Sequence, residues 1–457
     1  MKFFIIFIFS TILCYPQSIP IELNTYKNYE CLLDRGINWE FNSLLYSPRW
    51  QDIYPSNDNL DSSNMYFDLV ILNSSYNNKF NYGLGLNIRT SFYKYFYTHL
   101  YAKFANEENA FDRYSGISRG RNRFGFATGE VDISGIGFDN NKFNIELGRG
   151  RIGQGAGDSD IQLSLNQESI SYDYLSYGIT LTSWKIRFFN GFLENIDFIN
   201  RYISGKSIEK RLNGNFLISF SENVIYSGEN RPFDFGYLNP ISSHLEIELN
   251  ERQNLLGTSS GNAVWEASFD WLLKKRNRLS VNFIIDEFVL DKVQIDEGKI
   301  HSVGSSIRFS FQPLIAFKKL KANIKYINTG TYLYKHGNGN NNFVSRGDLL
   351  GWPKGNDVKE ISFGVSNYNN NSLIRLDLNY RLVGQESIYN DVYEPINGLM
   401  KKPDNFPSGN HNTINEIIFY YHRNISDIFG YNFELKIFKE ESVINTKMIV
   451  NYIFRKS

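Results

Sequence analysis

An all-β fold, a transmembrane antiparallel β-barrel of about 18 strands behind a short α-helical segment, is predicted by three features of this chain. The first is residues 373–382, where Ile374, Leu376, Leu378, Tyr380 and Leu382 share one strand face. Arg375, Asp377, Asn379 and Arg381 share the other, because successive strand side chains point to opposite sides. An apolar face backed by an ionic one suits a wall between lipid and water. The second is recurrence: about 17 such segments follow Ser62, and single-chain bacterial barrels favour even numbers. The third is lopsided connections, short on one side and long on the other.

The elements follow in order. Residues 1–18 carry Lys2 and then an apolar run from Phe3 to Leu13, the pattern of a cleaved secretory signal. The run is shorter than the ~20 residues a spanning helix needs, and cleavage is expected near Ser18. With Cys14 removed, Cys31 is the only thiol, which leaves no intramolecular disulfide and no cysteine metal site. Residues 19–60 read as a periplasmic helical and connector segment. Within it, Ile21–Ile37 predicts a helix, since Tyr26, Tyr29, Leu32 and Leu33 lie three or four apart and Gly36 supplies a stop. Residues 38–60, with Trp39, Pro48, Trp50 and Pro55, form the connector.

Residues 61–457 form the barrel. Leu84/Leu86/Ile88, Phe143/Ile145/Leu147, Leu279/Val281/Phe283/Ile285 and Ile361/Phe363/Val365 are clear alternating cases. The long connections are Ala105–Asn122, Gly153–Ile170, Ser227–Asn262, Thr329–Asp357 and Gly384–Thr413. Asp139-Asn140-Asn141 and Asn369-Asn370-Asn371 are tight turns. No fixed repeat period points to a propeller or solenoid. The last strand is Ile444–Phe454, with Arg455-Lys456-Ser457 beyond it.

Composition agrees. Acidic and basic residues balance, so no basic excess exists to displace phosphate counterions, and nucleic acid is not expected as a partner. Mean hydropathy is −0.36, as expected when only alternate residues face lipid. The 37 Phe and 30 Tyr are enough for aromatic girdles at two membrane interfaces. No later segment offers the unbroken apolar run of a membrane helix.

Chemistry-bearing constellations are few. The six histidines form no close pair, so no metal site is expected, and no hydrolase signature or cofactor motif is present. Gly148 to Gly157 is glycine-rich, but it ends a strand and precedes a loop. It reads as a strand bending inward at the barrel rim, with Arg149 and Arg151 facing the lumen beside Glu146 and Asp132. Arg375, Asp377 and Arg381 join these in a lumen charge network. Arg113, Arg119, Arg121 and Arg123 form the densest basic cluster. They are read either as a patch for acidic polysaccharide or lipopolysaccharide phosphate, or as charges met by lumen carboxylates. Tyr332, Tyr334, Trp352, Tyr389 and Tyr393 lie in long loops, where exposed aromatics suit stacking on sugar C–H faces; girdle or loop packing is the competing reading.

A resemblance becomes specific at Arg201-Tyr202, Ile208-Glu209, Ser221-Glu222 and Gly228-Glu229-Asn230-Arg231-Pro232-Phe233-Asp234-Phe235-Gly236-Tyr237-Leu238-Asn239-Pro240. With the Tyr26…Leu32-Leu33…Gly36 helix, Gly148-Arg149 and Asp286-Glu287-Phe288, their order resembles the capsule-assembly Wzi family of outer-membrane proteins. The chain departs from the family where an aromatic-Gly-Pro-Gly turn reads Gln154-Gly155-Ala156-Gly157, and where a His-Pro-x-Gly loop reads Trp352-Pro353-Lys354-Gly355. The resemblance implies an 18-stranded, largely occluded barrel in the bacterial outer membrane with a periplasmic helical part. It also implies a non-catalytic role, holding exported polysaccharide (capsule or exopolysaccharide) at the surface through extracellular loops, with no cofactor. Expected partners are surface polysaccharide, outer-membrane lipid and lipopolysaccharide, and polysaccharide export machinery, with the chain a monomer. The alternatives are a passive porin-like channel for small solutes and an outer-membrane hydrolase.

Overall fold

The computed structural model describes residues 23–45, 65–76, 79–92, 95–118, 120, 122, 124–140, 142–254, 260–274, 276–289, 292–313, 319–369, 372–396, 398, 400–426, 429–440 and 443–456. Residues 1–18, read above as a signal, and most of the expected connector lie outside these residues.

Helix α1 spans Leu23–Leu33 and ends four residues before the sequence reading, whose first two residues lie outside the described ones. Gly36 is the expected stop: at φ +68° it lets its own N–H reach Leu33 O (2.8 Å) and the Ile37 N–H reach Leu32 O (3.0 Å). These two bonds satisfy carbonyls left open at the helix end.

The wall begins with β1 (Met65–Tyr76), β2 (Lys79–Phe92), β3 (Phe96–Ala105), β4 (Thr128–Asp139), β5 (Phe143–Gly150) and β6 (Tyr172–Leu181). It continues through β7 (Trp184–Ile196), β8 (Ile199–Leu212), β9 (Phe216–Glu229), β10 (Asn262–Leu273), β11 (Asn277–Glu287), β12 (Ser302–Phe311) and β13 (Leu320–Thr329). A small hairpin, β14 (Val344–Ser345) and β15 (Asp348–Leu349), interrupts it. The wall finishes with β16 (Val358–Asn369), β17 (Ser372–Val383), β18 (Asn412–Asn424), β19 (Phe429–Glu440) and β20 (Val443–Lys456).

Apart from the hairpin, every strand pairs antiparallel with the next, β13 passing directly to β16. β20 returns to β1, with Leu69 opposite Phe454, so the 18-stranded sheet closes on itself. Closure removes the edges whose unpaired backbone groups lipid cannot satisfy. The long connections (106–127, 151–171, 230–261, 288–301, 330–357 and 384–411) all leave one end. The opposite end carries turns such as 182–183 and 370–371, with 312–319 the longest.

β17 shows how the alternation is used. Ile374, Leu376, Leu378 and Tyr380 are each 40–47% exposed, whereas Arg375, Asp377 and Arg381 are buried. Aromatics collect at both ends of the outer face, with Phe92, Phe96 and Phe138 toward the short turns and Phe80, Tyr82, Phe104 and Phe126 toward the long loops.

A barrel this wide cannot be filled by its own inward side chains, so other segments must enter. At the short-turn end α1 is pinned by Arg278–Glu30 (2.5 Å) and Arg308–Asp34 (2.6 Å). Burial pushes the Glu30 carboxyl up to about 7, and the Arg278 guanidinium only partly offsets it. Burial also raises Asp34, but the Arg308 guanidinium outweighs it and holds that carboxyl well below its usual range. Toward the long-loop end, 151–171 and 330–357 fold inward. Ile161, Leu163, Leu165, Tyr334, Phe343, Leu350 and Trp352 pack there against Phe189, Ile203, Ile225, Val264, Ile284 and Ile327 of the wall. The core of this protein therefore lies inside its lumen.

Candidate functional site

The glycine-rich stretch ending β5 does bend inward. Gly155 adopts φ +106°, and its N–H bonds Leu44 O (2.9 Å). A Cβ there would be strained by that φ and would approach Asn282 Oδ1 and Glu266 Oε1 to 3.0 Å. Further in, Asn282 Nδ2 donates to the carbonyls of Ala156 and Ile161, each at 3.0 Å, and Ser306 Oγ donates to Ile161 O at 2.6 Å. These bonds satisfy backbone groups that would otherwise be orphaned inside the barrel.

A ladder of ion pairs runs between this plug and the wall. Lys325 reaches Asp160 (2.6 Å), and Arg375 is held by Asp377 (2.5 Å) and also contacts Asp160. Arg381 bridges Glu360 (2.7 Å) and Glu416 (3.1 Å). Buried charges are tolerable because each is paired and hydrogen-bonded. Burial alone would raise Asp160, but Lys325 and Arg375 hold its carboxyl well below the usual range.

Above the ladder, at the long-loop end, a cleft of about 470 Å³ opens between the plug and the β17–β19 wall. Tyr76, Asp112, Arg113, Glu168, Asp348, Lys354, Arg381, Tyr389, Glu416, Lys436 and Phe438 line it. It narrows downward into a space of about 50 Å³ that reaches Lys27 of α1. Lys354 is placed by a tight turn: Pro353 presets φ, the Gly355 N–H bonds Trp352 O (3.1 Å), and Gly355 takes φ +97°. Tyr389 closes over this turn, donating its hydroxyl to Pro353 O (2.9 Å) while 43% exposed. Lys354 has no ion-pair partner among the described residues. Lys436 pairs with Glu434 (3.0 Å) and Asp112 (3.4 Å). The cleft thus offers donors and acceptors of both signs beside aromatic rings, a lining that suits a hydroxyl-rich ligand.

The predicted residues divide. Arg119, Arg121 and Arg123 lie outside the described residues, while Arg113 lines the cleft and donates to Gln167 O (3.0 Å). Tyr389 and Arg381 are in the cleft; Arg375 and Asp377 are in its floor. Asp132 accepts from Lys103 (2.8 Å) and Arg151, and Glu146 accepts from the Tyr97 and Tyr174 hydroxyls, all inside the barrel. Tyr332 is half-buried and bonds Lys401 O (3.1 Å), and Tyr393 bonds Glu194 (2.9 Å), both away from the cleft.

Three assignments need correction. Tyr334 and Trp352, read as exposed loop aromatics, are at most 1% exposed and belong to the lumen core, because their loop is the plug itself. Arg149, read as lumenal, has the outward parity of Ile145 and Leu147 and pairs with the outward Asp173 (3.2 Å). Glu168, Asp348, Glu416 and Lys436 were missed, being scattered along the chain with no local motif. Lys354 did have a signal, as the variable position of Trp352-Pro353-Lys354-Gly355.

No family model matches the sequence, and no curated protein matches it. Solved structures do match. Wzi, an outer-membrane protein involved in group 1 capsule assembly in Escherichia coli and a carbohydrate-binding β-barrel, is similar at 12% identity and a TM-score of 0.62. The match covers 95% of this chain and 99% of Wzi. OccK3 (OpdO) of Pseudomonas aeruginosa is similar at 6% identity and a TM-score of 0.50, over 86% of this chain and 95% of that one. At these identities the likeness is one of fold, that of the outer-membrane β-barrels.

Proposed function

We propose that this chain is an outer-membrane barrel of the capsule-assembly Wzi type. In this reading it binds exported surface polysaccharide in the cleft at its long-loop end and retains it at the cell surface, without catalysis. The long loops then face outward, and α1 closes the periplasmic end. The observation that carries the reading is a mixed-charge, aromatic-edged cleft standing over a filled lumen. A passive channel would need an open polar path where 151–171 and 330–357 are tied across the lumen. The fold likeness to a carbohydrate-binding barrel supports the same reading.

The test is binding of the purified, folded barrel to polysaccharide isolated from the cells that make it. Saturable binding, competed by free polysaccharide, is expected. Absence of binding together with large, steady single-channel currents in planar bilayers would replace this reading with the channel. Deleting Thr329–Asp357 is not a usable variant, because that segment supplies Leu333, Tyr334, Phe343 and Trp352 to the core.

A further inference from the structure

The segment between β9 and β10 does not stay at the barrel mouth. Tyr202, Ser204 and Lys206 of β8, and Glu222, Val224 and Tyr226 of β9, have outward parity. Their in-register neighbours of opposite parity, such as Ser207 and Asn223, meet the plug residues Gln154 and Ser164. The outward set is nevertheless largely buried, because 230–254 folds back over it. Two short helices form in this strap, α2 (Phe235–Leu238) and α3 (His244–Leu249), capped by Asp234 and Ser243.

The strap is tightly held. The Tyr237 ring stacks on Tyr226 at 4.3 Å, and its hydroxyl donates to Glu248 (2.7 Å). Ser204 donates to Tyr237 O (2.9 Å), Tyr202 to Arg231 O (2.9 Å), and Arg231 pairs with Asp234 (3.0 Å). His244 meets Glu222 at 2.8 Å, and Lys206 donates to Ser242 O. Polar outward positions, which lipid would not tolerate, are thereby covered.

On its far side the strap exposes four large apolar side chains beside polar ones such as Arg252 and Glu246. On α3, His244 and Ile247 face the wall, while Leu245 and Leu249, four residues apart, are 48% and 79% exposed. Phe235 is 79% exposed and Ile241 is 92% exposed. Lys206 pairs with Glu222, which pairs with Trp265; the adjoining row nearer the short turns is Ile208, Phe220 and Ala267. In that row Ile208 and Phe220 are exposed apolar members of the lipid-facing belt. The strap's apolar face is therefore continuous with the belt.

We propose that residues 230–254 form a membrane-interface strap on the outer wall, with Phe235, Ile241, Leu245 and Leu249 seated among acyl chains of the outer leaflet. This rests on the outer-membrane reading above.

Single nitroxide labels at Ile241→Cys and Leu249→Cys, in a Cys31→Ala background, test it in proteoliposomes of phospholipid and lipopolysaccharide. Collision with oxygen and with a water-soluble nickel chelate is measured for each. Ile361→Cys on β16 serves as the lipid reference and Lys402→Cys as the aqueous one. The expected result is an oxygen-to-nickel ratio at 241 and 249 several-fold above that at 402 and toward that at 361. Ratios equal to 402, with 361 still lipid-like, overturn the strap while leaving the barrel in its membrane. A water-like 361 instead removes the membrane reading itself. Protection from both collision partners with spin–spin broadening assigns the face to a second copy of the chain, and also overturns the proposal.

Discussion

Trp352 donates its indole Nε1–H to the carbonyl oxygen of Asp160 across 2.7 Å, joining two loops that enter the lumen from separate points on the rim. The same Asp160 uses its carboxylate to hold Lys325 and Arg375 of the wall. Backbone and side chain of one residue thus tie loop to loop and plug to barrel. Asp160→Ala is expected to destabilise the protein by about 1–3 kcal/mol. That is less than for a fully buried pair, because the Asp160 side chain is 32% exposed and Arg375 keeps Asp377. Thermal unfolding in detergent reads this out. In planar bilayers the wild type is expected to pass no steady current, and D160A to show brief openings as the plug loosens.

Tyr334 separates a structural aromatic from a ligand-binding one. Its hydroxyl donates to Leu163 O at 2.7 Å, and its ring lies near Phe343 in the lumen core. Tyr334→Ala should cost about 3–5 kcal/mol through the cavity it leaves. Tyr334→Phe should cost about 1–3 kcal/mol, because the hydroxyl also accepts from the Trp352 N–H (3.3 Å) and both buried partners are left unpaired. Y334F should bind polysaccharide as the wild type does; a large loss of affinity with an unchanged melting point would return Tyr334 to the ligand site.

The helix plug should respond to pH. Glu30 is raised from 4.5 to about 7, so its contribution is fully present below 4.5 and declines as pH rises through 7. Asp34 is depressed, so its contribution is present above the usual carboxyl range and is lost only in strong acid. Of these two carboxyls only Glu30 titrates between pH 6 and 8, and its share should weaken docking of α1 by about 1.4 kcal/mol, roughly tenfold. Cys31, buried in the same helix with its thiol pushed up to about 12, reports release. Its alkylation rate in the wild type, divided by that in Glu30→Gln at the same pH, should rise about tenfold over this range. A flat ratio would show that Glu30 stays ionised in the docked state.

Much of this architecture was legible wherever one strand face meets lipid and the other meets polar lumen, as in Ile374 to Arg381. It was hardest to read in β8 and β9. There Ile203 and Ile225 face the plug core while Tyr202, Val224 and Tyr226 lie under the strap, so both faces are apolar and the alternation vanishes. Loop aromatics misled for a related reason. Tyr334 and Trp352 fall between strands in sequence, yet a wide barrel uses such segments as its core. Arg149 was misplaced because its neighbours Glu146 and Arg151 drew it inward, although counting two residues on from Leu147 puts it outside. The bend at Gly155 and the stop at Gly36 were readable, since each requires a backbone conformation that glycine supplies.

The cleft itself yields the most direct prediction, because Lys354 and Tyr389 meet at one turn but differ in what they offer a sugar. Lys354 makes no ion pair within 4 Å among the described residues, its charge acting on Glu416 from farther away, so its ammonium can hydrogen-bond ligand hydroxyls or carboxylates without first breaking a direct contact. A hydrogen bond to a charged group contributes about 1.5–3 kcal/mol, so Lys354→Ala should weaken polysaccharide binding about 10- to 100-fold. The loss should shrink at high salt if the ligand is acidic. Tyr389 offers a ring face, and Tyr389→Ala should cost about 0.5–1.5 kcal/mol of affinity. Tyr389→Phe keeps the ring while giving up the bond to Pro353 O (2.9 Å), and should bind nearly as the wild type does. Arg149→Ala, on the outer wall beside Asp173, should leave affinity unchanged. Calorimetric titration with oligosaccharides cut from the cells' own polymer gives all four values. Wild-type affinity in K354A and Y389A, with both barrels folded, would move the binding site out of this cleft.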